Sequence, residues 1–272
     1  MAIIDAYKMD GLGNDFLIID RRTIFINLQK DKIIELGKKN KLGFDQIIFI
    51  DKEIKGSSPI TIYNSDGNEV SACGNGSRCI AYLLCKEKNS SQIYLKTNER
   101  ILEAEIVGDL SVRINMGKPI FNWSQIPLSE DIDNKNINID IGNKRFVGGY
   151  ALNVGNPHII FFMEDCFSLD IKTIGPKIEN HKIFPEKCNV TFAQINSRNE
   201  ISVNVWERGA GLTKACGTAA CATAVASYLK DLTENKVNVR FKEGSLEIEL
   251  NKTQEIFMTG PVSDIIKIKL EI

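Results

Sequence analysis

SACGNGSRCIAYLL (residues 71–84) and KACGTAACATAVASYL (residues 214–229) decide the reading of this chain. Each places a cysteine after Ala and before Gly at the head of an apolar, helix-forming stretch. The two are Cys73 and Cys216, 143 positions apart. Ile80, Leu83 and Leu84 fall together in the first stretch, and Val225 and Leu229 accompany a run of Ala in the second. The spacing predicts helices over 74–87 and 217–230, the second closely packed and buried. A thiol at a helix start lies near the positive end of the dipole, among N–H groups without an intrahelical partner. That setting is expected to lower its pKa and make its thiolate usable.

The echo continues outward from the cysteines. GLGNDFLIID carries Asn14 and NVGNPHIIFF carries Asn156; FDQIIFI carries Gln46 and KCNVTFAQI carries Asn189. Strand-like runs precede each cysteine, PITIYNSDGNEV and ISVNVWERGAGLT. After each helix comes strand, turn, strand and a Gly near a Pro, with Gly117 in INMGKP and Gly260 in FMTGPV. All these offsets are 142 or 143. The matched positions are polar or Gly residues at element ends, which core periodicity alone would not select. A two-copy repeat of this length is too long for a solenoid unit and reads as two similar domains. A chain of 272 residues has the size for two. We place residues 1–117 plus 263–272 in an N-terminal domain carrying Cys73, and residues 118–262 in a C-terminal domain carrying Cys216. The polar stretch 122–145, NWSQIPLSEDIDNKNINIDIGNKR, reads as linker-like. The final DIIKIKLEI reads as a strand returning to the first domain.

Strand signals dominate: IIFI (47–50), ITIY (60–63), VNVRF (237–241) and LEIEL (246–250) are β-branched or large and apolar. Alternation about Gly108–Asp109 and about Glu243–Gly244 marks two hairpins. Residues 27–39 place Ile33, Ile34 and Leu36 on one helical face. The fold class is α/β of the α+β kind, with about one central helix per domain wrapped by strands.

Composition narrows the function. The 34 basic and 35 acidic residues give a net charge of −1 with no long basic run, which disfavours nucleic acid as a partner. No apolar run approaches the ~20 residues of a membrane span. The N-terminus lacks the pattern of a signal peptide, so the protein is expected in the cytoplasm. Seven cysteines without a C-x-x-C disfavour a disulfide framework or a zinc knuckle. Cys79, Cys85, Cys166, Cys188 and Cys221 read as small buried hydrophobes. Two histidines, His158 and His181, are too few for a His-rich metal centre. No G-x-S-x-G elbow is present.

Gly74, Asn75 and Gly76 after Cys73, and Gly217 and Thr218 after Cys216, let backbone N–H groups approach a carboxylate or an enolate-like oxygen. One such cysteine alone can be a mere helix cap. Two equivalent domains facing each other would set one thiol on each face of a flat carbanion. A thiolate removes a proton from one face and a thiol returns one to the other. The residues thus suggest racemisation or epimerisation without an organic cofactor. The other anchors, Asn14, Gln46, Asn64, Asn156 and Asn189, are amides that both donate and accept, which suits an ammonium and a carboxylate held together. Singly, each is also ordinary turn chemistry. Arg208, beside Glu207, offers a fork for a carboxylate or a plain surface ion pair. His158 is either structural or a tuner of a nearby thiol.

On GLGNDF (11–16), GFDQ (43–46), NSDGNEVSACGNGSRC (64–79), GNPH (155–158), NV (189–190), ERGAGLTKACGTAAC (207–221) and MTGP (258–261), the chain resembles the diaminopimelate epimerase family. The two cysteine motifs are specific; GNPH or MTGP alone would be weak. The resemblance implies a pair of α/β domains, each a mostly antiparallel β-barrel around a central helix. It implies interconversion of LL- and meso-2,6-diaminopimelate without pyridoxal phosphate or metal, on the route to lysine and peptidoglycan. Cys73 then serves as proton donor and Cys216 as acceptor in the LL-to-meso direction. Asn14, Gln46, Asn64, Gly74, Asn75, Asn156, Asn189, Glu207, Arg208, Gly217 and Thr218 fall on substrate-binding positions, and His158 and Glu207 on positions that adjust the thiols. Homodimers are usual in the family. Asp10, Leu212 and Ala219 depart from its pattern, and Leu212 lies between Arg208 and Cys216. Three rivals stand beside this reading. They are a racemase of the same fold for another amino acid, a phenazine-type isomerase lacking the thiol pair, and a non-enzymatic thiol or metal-binding protein. The thiol pair argues against the second and the lack of C-x-x-C against the third.

Overall fold

Two compact units make up the chain: Met1–Asn115 with Thr259–Ile272, and Met116–Met258. The computed structural model describes residues 3–24, 26–38, 40–70, 73–98 and 100–271. Ser71 and Ala72 of the first cysteine motif, Lys39 of the expected 27–39 helix and the terminal Ile272 lie outside the described residues.

The first unit runs β1 (Ile3–Gly11), β2 (Asn14–Asp20), α1 (Lys30–Gly37), β3 (Gln46–Ile50), β4 (Ser58–Asn64), β5 (Glu69–Val70), α2 (Gly74–Lys88), β6 (Gln92–Lys96), β7 (Ile101–Gly108) and β8 (Ser111–Asn115). The second runs β9 (Ile137–Ile141), β10 (Lys144–Asn153), β11 (Pro157–Phe162), α3 (Ile171–Glu179), β12 (Asn189–Ser197), β13 (Glu200–Glu207), β14 (Gly211–Leu212), α4 (Gly217–Leu229), β15 (Lys236–Phe241) and β16 (Gly244–Leu250). The return to the first unit falls inside β17 (Ile256–Pro261), and β18 (Ile266–Glu271) follows.

Pairing directions repeat in order. In the first unit β1–β2 is antiparallel, β2–β3 parallel, β3–β4 and β4–β5 antiparallel, β4–β6 parallel and β6–β7 antiparallel. In the second, β10–β11, β11–β12, β12–β13, β13–β14, β13–β15 and β15–β16 follow the same sequence of directions. The repeat read from the sequence is therefore a repeat of topology. β18 completes the first unit by pairing antiparallel with β1, Ile4 opposite Leu270.

One helix lies at the centre of each ladder. α2 contacts β1, β2, β6, β7 and β8, and α4 contacts β10, β11, β12, β13, β15 and β16, so each ladder folds round its helix. In α4, Ala219, Ala220, Cys221, Ala222, Val225 and Ala226 are all buried. A helix apolar on every side is one enclosed on every side, and the small Ala side chains allow strands to come close. Among the described residues no helix is long and apolar enough to cross a membrane.

Two expectations are corrected. The stretch 122–145 is not a linker: Ile126, Leu128, Ile137 and Ile139 are buried in the core of the second unit, and β9 with the start of β10 forms within it. The alternation Ile137–Asn138–Ile139–Asp140 places polar residues on the outer face of a strand, which diluted the apolar signal. The second correction is α3, which the sequence reading missed. Its Ile171, Ile174 and Ile178 form a buried stripe at helical spacing, but Gly175–Pro176 between them reads as a breaker. Gly175 is required by packing, since a Cβ there would lie 2.5 Å from Trp206 Cγ. Gly175→Ala is expected to cost about 1–3 kcal/mol through overpacking, read as a lowered midpoint in urea unfolding.

Candidate active site

Each cysteine stands at the N-cap position of its central helix, and the Cys73 side chain makes a capping hydrogen bond there. Cys73 precedes α2 with φ −143° and ψ 111°, and Cys216 precedes α4 with φ −133° and ψ 110°. Extended backbone at the N-cap points the side chain back over the first turn, where donors are unpaired. Accordingly the Gly76 N–H donates to Cys73 Sγ (3.4 Å), and Cys216 Sγ lies 3.5 Å from Thr218 Oγ1. Gly76 is tightly packed: a Cβ would sit 2.6 Å from Ile48 Cδ1, so the Ile48 side chain would have to shift.

The amides of the first unit gather at the same end of the ladder. Asn75 Nδ2 donates to Asn14 Oδ1 (2.8 Å), and Asn14 Nδ2 donates to Asp45 Oδ2 (3.3 Å). Gln46 Nε2 donates to Asn64 Oδ1 (2.9 Å), because β3 and β4 pair these two residues directly. Gln46 Oε1 and Asn75 Oδ1 are buried without a hydrogen-bond partner among the described residues. Buried acceptors of this kind normally find a donor. Asp45, which orients Asn14, was not singled out from the sequence, although it stands inside GFDQ.

In the second unit Asn189 is buried and used at both ends. Its Nδ2 donates to Pro157 O (2.8 Å) and its Oδ1 accepts from the Arg208 N–H (2.9 Å). Asn156 Oδ1 lies 2.8 Å from His158 Nε2. The Asn156 oxygen can only accept, so Nε2 carries the proton, and the buried Nδ1 has no hydrogen-bond partner among the described residues. The Arg208 side chain is exposed and donates from Nη1 to Glu186 O (3.2 Å).

Electrostatics correct the local reading of the thiol. Burial pushes the Cys216 pKa well above its usual value, and the Glu207 carboxylate beside it pushes further; contacts with Thr218 and the Ala219 backbone offset only part. The helix N-terminus therefore does not win at Cys216, because its partial charge is small against full desolvation. Glu207 is itself raised by burial, with Thr213 and Cys216 holding it back. Burial, and then Arg208, depress His158 to about 3, so its imidazole is neutral. The bystander thiols behave as inert packing: burial raises Cys79 and Cys188 strongly and Cys166 to about 11. Among the described residues no group of three His, Cys, Asp or Glu side chains is placed to hold a metal ion.

The family model for diaminopimelate epimerase matches residues 6–122 and 150–265. The chain belongs to the diaminopimelate epimerase family. A diaminopimelate epimerase of Pelagibacter ubique (strain HTCC1062) is 50% identical over 272 residues, with 99% of each chain covered. One of Wolbachia sp. subsp. Drosophila simulans (strain wRi) is 41% identical over 258 residues, covering 94% of this chain and 95% of its own. The fold also resembles a hydroxyproline epimerase of Agrobacterium vitis. That match has TM-score 0.68 and 12% identity, over 99% of this chain and 93% of that one. Diaminopimelate epimerase family membership thus rests on sequence, and the wider likeness is one of fold.

Proposed function

We propose that this protein interconverts LL- and meso-2,6-diaminopimelate by proton transfer at one α-carbon, with Cys73 and Cys216 as the two acid–base groups and no cofactor. The observation that carries the reading is the pair of cysteines at N-cap positions. Each heads the enclosed helix of its unit with closely matching backbone angles, in a chain whose relatives bear the name of this activity. In the LL-to-meso direction the Cys216 thiolate takes the α-proton. The electron pair moves into the substrate carboxylate as an enediolate, and the Cys73 thiol supplies a proton from the opposite face. First-turn N–H groups at Gly74, Asn75, Gly217 and Thr218 suit the charge that develops on that carboxylate.

The raised pKa of Cys216 gives the cycle an order. As a thiol it is the donor for the meso-to-LL direction. For the other direction it first loses its proton, and the Glu207 carboxylate against it is the acceptor at hand. His158, neutral, contributes an acceptor at Nδ1 and no charge. The free acceptors Gln46 Oε1 and Asn75 Oδ1 fit an ammonium, and Asn14, Asn64, Asn156, Asn189 and Arg208 complete recognition of two amino-acid heads. The same reading carries a homodimer in the cytoplasm serving lysine and peptidoglycan synthesis.

The reduced enzyme in D2O with LL-diaminopimelate is expected to place solvent deuterium on one α-carbon and to form the meso product. Mass spectrometry and chiral chromatography read both. Absence of exchange and of meso product would overturn the assignment. Exchange with proline instead would favour the rival racemase.

A further inference from the structure

Glu179, the last residue of α3, is buried at 5% exposure. Its carboxylate accepts twice: Oε2 from the Trp206 indole Nε1–H (2.7 Å) and Oε1 from the Gly209 backbone N–H (2.9 Å). Those donors flank Glu207 and Arg208. The neighbouring N–H groups of the same turn are held separately, Arg208 N–H by Asn189 Oδ1 (2.9 Å) and Ala210 N–H by Glu207 O (3.2 Å). Each N–H from 208 to 210 thus has its own acceptor. Gly209 takes φ +74°, a left-handed angle that glycine adopts without steric cost. Gly175 of α3 lies close enough to Trp206 to hold its ring, and Gly211 bounds the ring's far edge.

We infer that Glu179 is a positioning residue: it fixes the Glu207–Arg208 turn in the conformation that receives the substrate's carboxylate and ammonium groups. The inference rests on the proposed role of Glu207 and Arg208 in substrate binding. Its logic lies in donor count. Both partners of Glu179 are donors, and a carboxylate accepts at both oxygens. Glutamine has the same shape but one acceptor and one donor, so one contact becomes donor against donor. Removing the indole N–H as well relieves that conflict.

The test compares wild type, Glu179→Gln, Trp206→Phe and the double variant as full chains. Two readouts are taken, amide exchange at Gly209 without substrate and KM with kcat for LL-diaminopimelate. For Glu179→Gln, a rise of about tenfold or more in both Gly209 exchange and KM is expected, the usual scale for one broken buried contact. Its kcat should fall as well, since the same turn carries Glu207, and the double variant should recover part of both losses. Trp206→Phe alone should stay nearer wild type. Unchanged exchange and KM in Glu179→Gln would overturn the inference, and so would a double variant worse than either single one. Should Glu179→Gln fail to fold, an unprotected Gly209 amide in the wild type would overturn it. A protected amide in an enzyme inactive on diaminopimelate would instead reject the proposed function and the substrate half of the inference, leaving the contact itself in place.

Discussion

Cys216→Ala is expected to lower kcat for epimerisation by about 10⁴-fold, the upper end of what one positioned acid–base group supplies. Cys73→Ala should do the same, because inversion needs a proton removed from one face and returned to the other. Cys216→Ser separates chemistry from capping. Ser is a favoured residue at an N-cap, so the start of α4 persists, but its hydroxyl does not ionise near neutral pH and activity stays lost. Cys166→Ala is the control. Cys166 lies in the core of the second unit with a pKa pushed up to about 11, and its removal should leave kcat near wild type. Deuterium incorporation followed by mass spectrometry reads all four variants. A fully active Cys216→Ala enzyme would end the two-base mechanism.

A second large effect concerns stability in alkali. Burial raises the pKa values of Cys79, Cys188 and Cys216 far above those of exposed thiols. In the unfolded chain the same thiols ionise near 8.5. Between that value and the folded pKa, the folded state binds more protons than the unfolded state. Stability contributed by the neutral thiols is complete below about pH 8.5 and is lost as pH rises. Each thiol accounts for up to about 1.4 kcal/mol per pH unit, so three approach ~4 kcal/mol per unit, a large share of a typical total of ~5–15. Going from pH 8 to pH 10 should lower Tm by roughly 10 °C. Cys188→Ala should remove about a third of that slope, since one of the three titrations is gone. A Tm that is flat between pH 8 and pH 10 would refute the account.

Much of this was legible in the chain. α2 and α4 announced themselves through apolar spacing behind a Gly-rich start, and the recurrence of Asn14, Gln46 and Gly117 one repeat later exposed the duplicated topology. What escaped has physical reasons. α3 hid behind Gly175–Pro176, although Ile171, Ile174 and Ile178 carried its stripe, and with α3 went Glu179. The core strand at Ile137–Ile141 hid behind its own polar outer face. The sign of the Cys216 shift escaped because a helix start is local, whereas burial and the Glu207 carboxylate are tertiary. No spacing rule counts desolvation.

The pairing of β18 with β1 joins the two extremes of the described chain across the whole second unit. During synthesis on the ribosome, the first unit therefore emerges early yet cannot close until the second has been made. Its β1 edge, with Ile4 and Ala6 in the core it shares with Leu270, must wait unpaired for that interval. The second unit is contiguous and faces no such delay. A nascent chain stalled after Asn115 should thus be protease-sensitive and adhesive, while one stalled beyond Met258 should already hold one finished half.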